Sequence, residues 1–322
     1  MRTSSDAPPL PLVYARDTQD AGERTRLYRA LRSTAMVSVH PGVHVAADDL
    51  GRLGTDDRYR LRVLATARRL SRYDTISHWS AAALWGLPAV DGWPDEIHST
   101  VPAGSGLCPN RTLRRHRTCT PEAETLHVAG LPVTSLARTV IDVAGTASFS
   151  AAVAVADAAL FSVGRGDHDG LSLLSFRSAL SGALDELGRA PGSARARRVI
   201  DFADERANRP GESLSRVTMH LIGAPPPELQ FRVIGASGRI WHTDFGWPEF
   251  GAAAEFDGRA KYSDPQFLRS RTPADVVYDE KVREDDIRPS VRTFGRWDWS
   301  TARSPKRMAS ALQRLGVPVG RD

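Results

Sequence analysis

The side chains best placed to do chemistry lie in the last third of the chain: Glu212, Asp244, Glu255 and Asp257. Three of them fall in one segment, His-Thr-Asp244-Phe-Gly-Trp-Pro-Glu-Phe-Gly-Ala-Ala-Ala-Glu255-Phe-Asp257-Gly-Arg-Ala-Lys261. That pattern predicts two short strands joined by a Trp-Pro turn. Burying an unpaired carboxylate costs several kcal/mol or more, so a packed strand does not carry one idly. Carboxylates in such a place bind a metal, pair with a cation, or face solvent from an edge.

The first option defines a reaction. Cutting a phosphodiester needs a polarised phosphoryl oxygen, an activated water and a stabilised leaving oxygen, and carboxylate-held divalent ions supply all three. Mg²⁺ takes oxygen ligands and keeps several waters, so two or three carboxylates suffice. Mn²⁺ is the alternative ion. Glu255 and Asp257 are two apart on a strand and so share a face. Asp244 precedes the turn and comes within cross-strand reach. Glu212 opens a helix after Pro-Gly and is placed to reach the same edge. The expected metal ligands are Asp244, Glu255 and Asp257. Lys261 joins Glu212 in the expected catalytic set by stabilising charge on an attacking or leaving oxygen. Lysine is scarce here: three against forty arginines. A retained lysine is therefore of interest, since a compact ammonium and a guanidinium fork are not interchangeable.

Composition sets the wider limits. At 322 residues the chain has room for two domains. The hydrophobic fraction of 41% and charged fraction of 25% are those of a globular protein rather than a membrane or disordered one. No signal peptide is visible at the start, which points to the cytoplasm. No apolar run is long enough to span a bilayer, so no membrane partner is expected. Cys108 and Cys119 are read as free thiols. A net charge of +5 favours a polyanionic partner, DNA.

The periodicity predicts an α/β (α+β) protein. Residues 1–20 show no pattern and read as disordered. An Arg-rich helix over 23–33 carries Arg24, Arg29 and Arg32, and a hairpin over 36–45 follows it. Such a helix-plus-wing can place arginines on phosphates. Asp56 is read as the cap of a helix running to about 70, and 77–85 as another helix. Strands are expected at 96–101, 113–117 and 126–128. Arg111, Arg114 and Arg115, on the middle one or in the loop before it, form a second candidate phosphate patch. Helices then dominate from 134 to 207, with a border at Arg209-Pro-Gly. Beyond it the order reads α-β-β-β-α-β-α. His78 and Trp79 are read as packing residues rather than functional ones.

Two resemblances fit these stretches. Gly-Glu212-Ser-Leu-Ser-Arg, His-Thr-Asp244-Phe-Gly-Trp-Pro and Glu255-Phe-Asp257-Gly-Arg, with the helix through Glu280, Arg283 and Asp285, resemble the PD-(D/E)XK nuclease superfamily, in its very-short-patch-repair-like branch. The likeness covers about 205–315 and implies a restriction-endonuclease-like mixed sheet flanked by helices. It departs where the superfamily has lysine two residues after the second acid: that position is Asp257, and the nearest lysine is Lys261. Thr75-Ile-Ser-His-Trp-Ser-Ala-Ala-Ala-Leu-Trp-Gly-Leu-Pro88, Ile97-His-Ser-Thr-Val-Pro102 and Gly130-Leu-Pro-Val-Thr-Ser-Leu-Ala-Arg-Thr-Val-Ile-Asp142 resemble the AbiEi-like antitoxins, often described as winged-helix regulators. That likeness covers about 25–160, with a reduced winged-helix start, and implies promoter binding and, in some members, a cognate toxin as protein partner.

The expected organisation is a disordered 1–20, an AbiEi-like DNA-binding region over 21–205 and a nuclease-like domain over 206–322. Three functions remain open: a Mg²⁺-dependent DNA endonuclease in phage defence or repair, a non-catalytic regulator, and an antitoxin acting through its toxin. No Gly-x-Ser-x-Gly elbow, phosphate loop or dinucleotide fingerprint is present. Paired Cys/His zinc spacing is absent too.

Overall fold

The computed structural model describes residues 10–18, 20–117, 125–258 and 273–320, with 273–278 described by backbone alone. Lys261 and Cys119 lie outside the described residues. The chain divides into two compact units. One comprises 1–148 and 162–201; the other comprises 149–161 and 202–322. The fold is mixed α/β, as the sequence implies, but the border differs from Arg209-Pro-Gly. A piece of helix from the middle of the chain belongs to the second unit.

The first unit starts with a small antiparallel sheet. Strand β1 (Val13–Tyr14) pairs with β3 (Val43–Ala46), which also pairs with β2 (Met36–His40). An N-terminus without structure through residue 20 is therefore wrong at β1. Helix α1 (Ala21–Arg32) buries only Leu27, so its arginines face outward. Asp20 caps it by accepting the Gly22 amide at 3.0 Å. Helices α2 (Ala47–Arg52) and α3 (Thr55–Ala65) follow. Gly54, not Asp56, is the N-cap of α3, so Asp56 sits in the first turn, where a negative charge suits the helix dipole.

A second sheet has the order β6-β5-β4-β8-β7. Its strands are β4 (Thr75–Ile76), β5 (Ile97–Val101), β6 (Leu113–Arg117), β7 (Thr125–Val128) and β8 (Leu131–Thr134). The sequence reading missed β4 and β8 because each is short and runs straight into a helix. Those helices are α4 (His78–Leu84) and α5 (Leu136–Thr146). The core beneath this sheet includes Tyr59, Val63, Ile76, Leu84, Ile97 and Val133. Helix α6 (Phe149–Gly164) leads on to α7 (Leu173–Leu187) and α8 (Ser193–Phe202).

The second unit follows the expected α-β-β-β-α-β-α order, with one extra turn. Helix α9 (Pro210–Leu221) precedes β9 (Glu228–Ile234), β10 (Ile240–Trp247) and β11 (Ala252–Phe256). Then come α10 (Pro273–Ile287), β12 (Thr293–Trp297), a short α11 (Trp299–Ala302) and α12 (Pro305–Leu315). The sheet order is β12-β11-β10-β9, with β12 parallel to β11 and the other pairs antiparallel. One face is the core: Phe245, Trp247, Ala252, Ala254 and Phe256 pack with Leu214, Met219 and Leu312. Alternation then puts Asp244, Glu255 and Asp257 on the opposite face. Gly246 is held to its size by a close ring: an added Cβ would lie 2.1 Å from Phe231 Cγ. Gly246→Ala is expected to destabilise this unit by about 1–3 kcal/mol, the cost of overpacking. An unchanged urea midpoint would show that the Phe231 ring moves aside freely.

Candidate functional site

Three of the four predicted carboxylates, Asp244, Glu255 and Asp257, fall on the sheet face opposite the core. The β10–β11 ladder ends at Phe245↔Ala254, so the next cross-strand position pairs Asp244 with Glu255. There the backbones part, and Asp244 fills the gap: its Oδ2 accepts the Phe256 amide at 2.7 Å. On the other side, Glu255 is in register with Arg296 of β12. Opposite Asp244 on β9 stands Gln230, with φ of +51°. A non-glycine residue in that region stores strain of about 1–3 kcal/mol, and such strain gathers at functional sites.

Glu255 does not stand as an open ligand. It is 5% exposed, with Arg283 on Oε1 at 2.6 Å and Arg296 on Oε2 at 3.1 Å. Arg296 also approaches Glu280 at 3.7 Å and Glu284 at 3.5 Å, so the face is a network of alternating charge. Asp257 is different: its Oδ1 is buried without a hydrogen-bond partner. Glu212 comes from α9, on the core side of the sheet, and its Oε2 accepts the Asn208 amide at 3.1 Å. That contact secures the start of its own helix, the work an acid does in a capping box. Among the described residues no three of these acids form a grouping close enough to share an ion; the grouping that does consists of histidines.

A cationic hollow adjoins the carboxylates. It measures about 470 Å³ and lies along β12, where Arg288, Arg292, Arg296 and Arg314 line it around Phe294. The sequence reading missed it because its arginines come from three separate elements. Among the described residues strand β12 is a sheet edge, with no strand paired on its outer side.

The expected DNA contacts of the first unit divide. Arg24, Arg29 and Arg32 are exposed on α1, and Arg111 and Arg114 are exposed beside β6. Arg115 is not available: its guanidinium binds Asp74 through Nε at 2.8 Å and Nη2 at 3.0 Å, with its side chain 9% exposed. Burial pushes the Asp74 carboxyl up. The Arg115 guanidinium, the Ser99 hydroxyl and the Ser71 amide outweigh that and hold it below its usual value. Arg115 is thus a structural residue, and a basic run on a strand gives alternate residues to opposite faces.

No family model matches the chain. Two mycobacterial proteins do: the uncharacterized proteins MT2308 and Rv2248 of Mycobacterium tuberculosis, from strains CDC 1551 and H37Rv. Each is 30% identical over 252 residues, covering 77% of this chain and 84% of its own length. The chain belongs to their family. Among solved structures, that of the RV2827C protein from Mycobacterium tuberculosis is similar at 18% identity, with a TM-score of 0.38, over 66% of this chain and 76% of that one. No helix of the described residues is long and apolar enough to cross a membrane.

Proposed function

We propose that this family member binds DNA and cuts its backbone with a metal-dependent phosphodiesterase site in the second unit. One observation carries the reading: Arg296 both lines the four-arginine hollow and grips Glu255, so a groove suited to phosphates is continuous with a carboxylate face. Arginines around an aromatic ring suit a nucleic-acid strand, by phosphate pairing and by stacking. The nuclease resemblance of 205–315 agrees with the element order.

The residues fit a hard divalent ion in one respect: the Asp257 oxygen is buried and without a protein hydrogen-bond partner, an atom that a cation or an ordered water satisfies. Mg²⁺ or Mn²⁺ would be held by Asp257 with Asp244 or Glu255 rather than by all three at once, water completing its shell, and would polarise the phosphoryl oxygen and activate water. The protein's own part is to hold the strand. Arg288, Arg292 and Arg314 position phosphates, while Arg283 and Arg296 balance Glu255 until substrate arrives.

A second reading has its own support. The two guanidiniums on Glu255 are what a DNA-binding regulator with a retired cleavage site would show. Purified protein on supercoiled plasmid separates the two. Cleavage is expected with Mg²⁺ or Mn²⁺ and none with EDTA. Asp257→Asn should slow it by more than the roughly 10–100-fold that a change beside a metal ligand costs. A plasmid left intact in every metal but shifted in a gel, with the shift fading steeply as salt rises, establishes the regulator instead.

A further inference from the structure

We propose that the first unit carries a second, separate metal site, in which His78, His98 and His116 bind one zinc ion and leave a fourth position open. The fold makes this site from residues far apart in sequence. Strands β5 and β6 run parallel, with His98 opposite Arg114 and Thr100 opposite His116. His98 and His116 therefore share a sheet face, and helix α4 lays His78 over it. The ligand atoms of the three rings all lie within 4.8 Å of one another. His98 Nδ1 and His116 Nε2 are 3.2 Å apart. Two tetrahedral zinc ligands at 2.0–2.1 Å from the ion stand about 3.3 Å from each other, so this pair is already at ligand spacing.

His78 is oriented for the same task. Its Nδ1 meets the Ser77 hydroxyl at 2.9 Å and lies 3.7 Å from Asp142 Oδ2, which leaves Nε2 for the ion. Asp142 is itself fixed by Arg138 Nε at 2.9 Å. A carboxylate behind a ligating imidazole is a common second-layer support in zinc sites. His78 also has φ of +50°, a strained backbone for a residue with a Cβ. Packing alone gives no reason to hold a histidine there.

Three further facts fit a cation at this place. Thr100 Oγ1, on the face of β5 that carries the triad, is buried without a hydrogen-bond partner. His78 and His116 rings stack at 3.6 Å and 14°, so the two imidazoles already lie together on that face. His116 is half-buried on the sheet-edge strand β6, where it can turn its lone pair off the stack. Burial above all, with the positive charge of neighbours such as Arg114, holds His78 well below its usual range, His98 at about 3 and His116 at about 4. All three are neutral at pH 7, the form that binds metal. Imidazole donors with no thiolate and an open position suit zinc in a reactive rather than a purely structural site.

The test uses the full chain, free of any histidine tag and stripped with EDTA. Calorimetric titration with ZnCl₂ should show one equivalent bound, and Co²⁺ in its place should give the visible bands of a four-coordinate centre. His116→Gln should weaken Zn²⁺ binding at least 100-fold, while Asp257→Asn in the other unit leaves it unchanged. Should His116→Gln fail to fold by circular dichroism, Asp142→Asn takes its place, with an expected loss of about 10–100-fold. The proposal is overturned if wild type takes up no zinc, if the histidine variant binds as wild type does, or if the bound equivalent disappears in Asp257→Asn.

Discussion

Replacing Arg216 by methionine is expected to cost the second unit about 3–5 kcal/mol at pH 7.5, and clearly less at pH 5. Asp157 is fully buried in α6, and Arg216 Nη1 reaches its Oδ2 at 2.8 Å from α9. The Asp204 amide donates to the other oxygen at 2.7 Å. Burial pushes the Asp157 carboxyl up to about 6 from an ordinary 3.8, even with Arg216, the Asp204 amide and Ser213 pulling the other way. The sign follows from that direction. Between pH 3.8 and about 6 the folded state binds the proton more readily than the unfolded chain, so this carboxyl favours folding at the acid end and loses that advantage as pH rises through 6. Removing the guanidinium raises the carboxyl further. The variant therefore carries an unbalanced buried charge at neutral pH and a neutral acid at pH 5, where the damage shrinks. Native-state hydrogen exchange of α9 amides reads this unit alone, which matters because a chain of two units need not unfold in one step. Equal losses at both pH values would mean the guanidinium acts by packing, not charge.

Asp157 also marks where sequence stops being informative. Its helix is legible in the sequence from the apolar run 151–163, which the aspartate merely interrupts. Nothing local says that its partner lies on α9. The same holds for the histidine site. His78, His98 and His116 stand in three different elements, and only parallel pairing of β5 with β6 brings two of them to one face. A search for close Cys/His spacing could not find them. The second unit was more readable because its signals are local: Pro-Gly before α9, a Gly turn between β9 and β10, and Trp-Pro-Glu-Phe-Gly between β10 and β11. Two-residue alternation then put Glu255 and Asp257 on one face without further information. What alternation could not supply was the opposing charge. Arg283 and Arg296 arrive from α10 and β12, elements whose register against β11 is a tertiary fact.

That opposing charge makes the second large effect testable. Changing Arg283 and Arg296 together to methionine removes both guanidiniums that balance Glu255, whose side chain is 6% exposed. In EDTA the expected loss of stability is about 3–5 kcal/mol, the usual result of breaking a buried ion pair. A divalent ion changes the outcome if these carboxylates are ligands. Mg²⁺ or Mn²⁺ supplies the positive charge that the arginines gave, and an ion present at 100 times its dissociation constant returns about 2.7 kcal/mol to the folded state. The expected pattern is a double variant that melts early in EDTA and recovers most of its stability in Mn²⁺, while wild type, already balanced, gains less. Adding Asp257→Asn should cancel the recovery, because it neutralises one of the donor groups the ion uses. A double variant that melts at one temperature with and without metal would show that this face was built for arginine alone, and DNA cleavage by this protein would then have no seat.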